Sequence, residues 1–228
     1  MVRENIEPRP ITSRTRTGRA FLIDTFEEYT TAITEKWVQT EGTIALATDF
    51  PKQGKSCMSL TTGATAADPS MASLYLGCPV KTRIGLEFDF QVSSLMANVR
   101  DLSLNLYYYD GVLEQASSVK YLGSTDIKWQ YKDFGAGWVD VVGGSQNIYF
   151  SATTPIWHNV KLVVDLKKEV YVKMFCNQLE LDLANIGYNR NVNASATHLR
   201  VDIGVTNETT AASRIMRIDN VILTDEEP

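Results

Sequence analysis

The hydrophobic positions of this chain recur every second residue. In Thr82–Val92 the residues Ile84, Leu86, Phe88, Phe90 and Val92 alternate with Arg83, Glu87, Asp89 and Gln91, the pattern of a strand with one face buried and one solvated. Arg100–Asp110 repeats it, with Leu102, Leu104, Leu106 and Tyr108 inward and Ser103, Asn105, Tyr107 and Tyr109 outward. His158–Cys176 reads as a hairpin turning at Lys167 and Lys168, and HLRVDIGVT and RIMRIDNVILT supply the last two long strands. Shorter strands are predicted over 43–48, 56–62, 71–76, 112–122, 126–131, 138–142 and 146–151. Pro51-Lys52-Gln53-Gly54, Asp110-Gly111 and Gly143-Gly144 supply turns between them. Only Phe26–Lys36 and Leu181–Tyr188 allow a helical turn.

About a dozen strands without alternating helices predict an all-β fold, two antiparallel sheets packed face to face as a jelly roll. No internal repeat or linker divides the chain. The expected organisation is a basic arm over 1–19, one β-sandwich over 20–224 and an acidic tail over 225–228. At 228 residues roughly 70% of the unfolded surface can be buried in a single core. No apolar run approaches the ~20 residues that span a bilayer, and the N-terminal stretch lacks the apolar segment of a secretion signal. The expectation is a protein made in the cytoplasm, with extracellular placement by another route as the alternative.

Charge adds an asymmetry. The net charge is −5, yet Arg3, Arg9, Arg14, Arg16 and Arg19 face only Glu4 and Glu7 in the arm. Lacking lysines and interleaved aromatics, and attached to an acidic body, the arm does not read as a nucleic-acid site. It reads as a solvated element or one docked on a protein partner or another copy of the chain, and no membrane partner is expected. Cys57, Cys78 and Cys176 are odd in number and far apart, without zinc spacing, so buried thiols are expected. His158 and His198 read as ordinary strand-edge residues.

The order DTFEEY, KWVQTEGT, GKSCMSL and, at the far end, RIDNVILTD resembles the jelly-roll sandwich of carbohydrate-binding modules and concanavalin A-like domains, a fold also used in phage structural proteins. The resemblance implies that the first and last strands lie side by side. It also implies that Glu27 and Asp219 meet where such modules hold a structural calcium ion, which needs several oxygen ligands. Asn220 stands where a second Asp is frequent. The alternative is a hydrogen-bonded clasp in which these side chains accept backbone N–H groups. Glycan binding in the family depends on aromatic rings on one sheet face, and Tyr107, Tyr109, Trp129, Trp138 and Trp157 are the candidates. The same residues suit cross-strand packing or a protein interface. Trp37 reads as core.

Glu87-Phe-Asp-Phe-Gln91 resembles the Glu-x-Asp-x-Glu strand of laminarinase-like β-glucanases, but Gln91 cannot cycle a proton, and retaining hydrolysis needs two carboxyl groups. Glu87 and Asp89 therefore read as a wet face. No nucleophile elbow, phosphate loop or Cys/His pair is present. The favoured reading is a non-enzymatic virion structural protein, a head-decoration or tail-associated sandwich forming oligomers or a lattice. The alternative is a carbohydrate-binding module recognising a polysaccharide through an aromatic face.

Overall fold

The computed structural model describes residues 18–30, 33–77, 82–92, 99–123, 126–149, 154–208 and 213–228. Among them are sixteen strands: β1 (Arg19–Asp24), β2 (Trp37–Glu41), β3 (Thr43–Ala47), β4 (Cys57–Thr61), β5 (Pro69–Leu76), β6 (Arg83–Val92), β7 (Val99–Tyr109) and β8 (Leu113–Leu122) in the first half. The second half holds β9 (Lys128–Asp133), β10 (Gly137–Ser145), β11 (His158–Asp165), β12 (Val170–Cys176), β13 (Leu179–Asp182), β14 (Asn189–Val192), β15 (His198–Asn207) and β16 (Ile215–Asp225). Every pairing is antiparallel. The first sheet runs β13-β12-β11-β6-β16-β4-β3 with β1 also on β16, and the second runs β10-β9-β8-β7-β15-β5-β2 with β14 on β8. This is the two-sheet β-sandwich that the alternation predicts.

The inward rows are those of the sequence pattern. Leu86, Phe88 and Phe90 of β6 and Ile218 and Leu223 of β16 face Leu104 and Leu106 of β7 and Val201 and Ile203 of β15 in one core. Burying each such side chain stabilises by roughly 1.5–3 kcal/mol. The termini of the sandwich meet as expected: β1 pairs with β16 from Arg19 opposite Asp225 to Asp24 opposite Val221. Arg19 makes a two-pronged ion pair with Asp225 at 2.8 and 3.2 Å. It is therefore the first residue of the sheet, held by its own chain, rather than the last residue of an assembly arm. Arg3, Arg9, Arg14 and Arg16 lie outside the described residues. Glu227 of the acidic tail is buried.

The interruption of β1 at Asp24 has a local cause. Asp24 is buried, and its carboxylate accepts the Phe26 N–H at 3.1 Å, the Tyr29 hydroxyl at 2.8 Å and the Trp37 indole N–H at 3.0 Å, with the Lys36 ammonium at 3.2 Å. One side chain thus fixes the turn after β1, which includes Phe26 at a φ of 61°, and ties it to the core residue Trp37 across a short 3-10 turn at Ile33–Glu35.

Several expectations are corrected. No strand follows β10 over 146–149; the Gln146 carbonyl is instead taken by the Tyr121 hydroxyl at 2.5 Å and its N–H by the Ile127 carbonyl, and 150–151 lie outside the described residues. Leu179–Asp182 pairs as an edge strand instead of starting a helical turn, because its backbone bonds to β12. His158 sits in an interior strand, buried, with Nε2 2.8 Å from the Tyr149 carbonyl oxygen. Glu87 and Asp89 are not a wet face, since both are buried. Cys57 and Cys176 are buried free thiols, with burial pushing both up to about 12, and Cys78 lies outside the described residues.

Candidate functional site

Two places carry the residues singled out by sequence. At the first, Glu27 and Asp219 grip the same loop between β3 and β4. Glu27 Oε1 accepts the N–H groups of Lys55 and Ser56 at 2.8 and 2.9 Å, and Asp219 Oδ2 accepts those of Lys52 and Gln53 at 3.0 and 3.1 Å. Gly54, between them at a φ of 73°, lies so close that a Cβ there would enter the Glu27 carboxylate. A register shift in β16 between Asp219 and Ile222 places Asn220 at a φ of 52°, a conformation that Asn tolerates better than most residues. From that bulge Asn220 Nδ2 donates to Asp89 at 2.9 Å, while the Lys52 ammonium reaches Asp89 at 2.6 Å.

This is the hydrogen-bonded clasp. Calcium takes six to eight oxygen ligands. Here the carboxylate oxygens meet N–H donors and an ammonium group, and among the described residues no three His, Cys, Asp or Glu side chains converge as a cation site. The N–H groups and the ammonium satisfy the carboxylates as the clasp requires. Burial pushes Asp219 up to about 6, with the neighbouring charge of Asp89 adding to it and three backbone N–H bonds opposing it.

The second place is the outer face of the second sheet. Register sets its rows. Tyr75 of β5, Arg200 of β15 and Tyr107 of β7 stand directly opposite one another across three strands, and Ser73, Asp202, Asn105 and Ser118 form the next row. The Arg200 guanidinium lies 5.6 Å from the Tyr75 ring centre and 5.1 Å from that of Tyr107. Asp202, buried, holds it at 2.6 and 2.7 Å and accepts the Ser73 hydroxyl at 2.7 Å. The arginine is thus fixed as a flat plate between two rings. Tyr75 keeps 47% of its surface exposed, and Tyr107 is half-buried. Further along, Trp138 of β10 is 39% exposed with the Lys120 ammonium 4.2 Å above its ring. From β5 to β10 is five strand spacings, about 24 Å.

The five aromatic candidates therefore divide. Tyr107 and Trp138 share this face. Tyr109 points to the same side but is buried, its ring stacked 4.1 Å from that of His198. Trp129 points into the core, edge-on to Tyr121, because β9 alternates Trp129 and Tyr131 with Lys128, Gln130 and Lys132. Trp157, half-buried, immediately precedes β11 of the other sheet. The sequence reading did not single out Tyr75, Arg200, Asp202 or Lys120 for this site. The signal was present in HLRVDIGVT, where Leu199, Val201 and Ile203 point inward and leave Arg200 and Asp202 outward.

No family model matches this sequence, and no curated protein does. Solved structures do. The endo-beta-1,4-glucuronan lyase of the fungus Trichoderma reesei superposes with a TM-score of 0.58 at 11% identity, covering 90% of this chain and 95% of its own. A carbohydrate esterase of the Shiga toxin-encoding bacteriophage phi24B gives 0.52 at 13% identity, over 84% and 91%. The carbohydrate recognition domain of Emp47p gives 0.51 at 12% identity, over 89% and 93%. At these identities the shared property is the fold, and this chain has the jelly-roll β-sandwich of lectin-like and carbohydrate-binding domains.

Proposed function

We propose that this protein binds a polysaccharide across the outer face of its second sheet. The observation that carries the reading is the Tyr75–Arg200–Tyr107 row: two solvent-facing rings flank a guanidinium that Asp202 immobilises, so a flat, rigid platform exists before any ligand arrives. Sugar rings offer C–H faces to aromatic surfaces and hydroxyls to fixed polar groups, and preorganisation lowers the entropy lost on binding. Support also comes from the solved structures of similar fold, three of which are named for carbohydrate recognition or carbohydrate chemistry. Because two of those are enzymes, fold alone assigns no chemistry. We read the face as a binding surface, since Arg200 and Asp202 neutralise each other there.

The virion reading rests on the arginine arm, of which residues 1–17 lie outside the described residues, while Arg19 spends its charge on Asp225 of its own chain. The platform is the stronger ground. A virion protein that attaches to a surface glycan would use the same face. The test is retention on a panel of immobilised polysaccharides. The parent protein is expected to be retarded by at least one polymer, and Tyr75→Ala with Tyr107→Ala is expected to lose that retardation at an unchanged melting temperature. A parent protein retained by none of them overturns the reading.

A further inference from the structure

Cations on the outer face of the second sheet fall into two sets. Arg200 is matched by Asp202 at 2.6 Å, and Lys128 by Asp140 at 2.7 Å and Asp126 at 3.3 Å. Lys120 and Lys132, by contrast, have no carboxylate within ion-pair distance among the described residues. Lys120 is half-buried. Its ammonium rests over the Trp138 ring at 4.2 Å, and Lys132 stands directly opposite Trp138 in the β9–β10 pairing. Burial lowers the Lys120 pKa; the charge of Asp101, the largest influence among its charged neighbours, opposes this, while Arg100 and Lys132 add smaller lowering contributions. Asp101 in turn accepts the Thr206 hydroxyl at 2.9 Å.

Two neighbouring lysines without a contacting carboxylate are out of character for a chain of net charge −5, and their proximity costs folding free energy through repulsion and desolvation. An anion placed between Lys120 and Lys132 would relieve both. The surroundings suit a sugar-borne anion. Trp138 offers an exposed ring, while Ser103 and Gln130, the cross-strand neighbours of Lys120, offer a hydroxyl and a side-chain amide. Gln130 and Lys128 both hold Asp140, at 2.7 Å each, so that its charge is engaged away from the lysines. Lysine ammonium groups act as point charges with rotatable donors and so accept carboxylate and sulfate oxygens alike.

We infer that the Trp138 end of this face is a subsite for a negatively charged sugar unit, formed by Lys120, Lys132 and the Trp138 ring, so that the ligand is an anionic polysaccharide. The inference rests on the glycan-binding reading above and narrows it to a substrate class. The charge itself, as uronate carboxylate or sulfate ester, is what the two lysines recognise.

The experiment uses the full chain and three sets of polymers: polyuronates, the same polyuronates after carboxyl reduction to neutral sugars, and sulfated galactans. Affinity electrophoresis or calorimetry is expected to show at least one anionic polymer bound ten-fold or more tightly than its neutral counterpart, with the advantage shrinking between 0.05 and 0.5 M salt as screening demands. Lys120→Met with Lys132→Met is expected to abolish that advantage; Lys132→Gln alone, at a half-buried position near the end of β9, should reduce it several-fold. Preference for polyuronates or for sulfated galactans identifies the anion, and either supports the subsite. Equal binding of reduced polymer, polyuronate and sulfated galactan alike, or a double variant that keeps the preference, overturns this inference alone. No binding to any polymer overturns the platform reading together with it.

Discussion

The ammonium of Lys161 lies 2.7 Å from the carboxylate of Glu227, and neither side chain is reached by solvent. Lys161 is in β11 at the centre of the first sheet, opposite Glu87 of β6, and Glu227 is the penultimate residue of the chain. Thr224 and Glu227 also share a short hydrogen bond. Gly85 and Gly18 leave the room this tail needs, since a Cβ at either would meet the Glu227 carboxylate at 2.8 Å. The last residues of the chain thus close over the outer face of the first sheet.

Breaking a buried ion pair by removing one partner typically costs about 3–5 kcal/mol, because the other charge is left desolvated. Glu227→Ala, or removal of the last two residues, is expected to lower stability by that order in urea unfolding. Lys161→Met combined with Glu227→Ala should recover a large part of the loss. Single variants within about 1 kcal/mol of the parent would show that the pair does not hold the tail.

Asp24 concentrates four bonds on one carboxylate. Asp24→Ala leaves the indole N–H of Trp37 and the hydroxyl of Tyr29 without their acceptor. A loss of about 2–4 kcal/mol is expected, from one buried acceptor that serves several donors. The near-ultraviolet circular dichroism of Trp37 should change with it. A variant with parent stability would mean that the loop can satisfy these donors elsewhere.

The clasp predicts its own pH dependence. The folded-state pKa of Asp219 is raised to about 6 by burial, above the unfolded value of about 3.9, so the folded state binds the extra proton. Its stabilising contribution is complete below about pH 4 and is lost as pH rises through about 6, a difference of order 2–3 kcal/mol. Denaturation midpoints of Asp219→Asn should fall less over that window than those of the parent. Asn220→Asp adds a carboxylate beside Asp89 and Asp219, and is expected to steepen the loss above pH 5.

The clasp also predicts indifference to calcium. Melting temperatures in millimolar calcium and in chelator should agree within about 1 °C. Gly54→Ala, by contrast, should destabilise by about 1–2 kcal/mol, because an L residue is strained at its φ and its Cβ enters the Glu27 carboxylate. A rise of several degrees with calcium would show that an ion displaces the N–H groups.

Period-two alternation was enough to determine the long strands β6, β7, β11, β12, β15 and β16 and the sandwich class, because the spacing of inward residues is a local property of a pleated strand. The adjacency of β1 and β16 followed from the resemblance to jelly-roll modules, and the alternation does not predict β13 and β14. The sequence also determined that Tyr107 faces away from the core and that Trp37 faces into it. What the tertiary structure alone decided is what covers each outward face. Glu87 and Asp89 alternate as a solvent-facing row should, yet they are buried, and Glu227 and Lys161, which no spacing connects, meet out of solvent. Tyr109 has the correct parity for a platform but lies under His198, while Tyr75 and Arg200 join Tyr107 only through the register of β5 and β15 against β7. Alternation assigns each residue a side of its sheet. The neighbours it meets there depend on strand order and register, which are set by contacts distant in sequence.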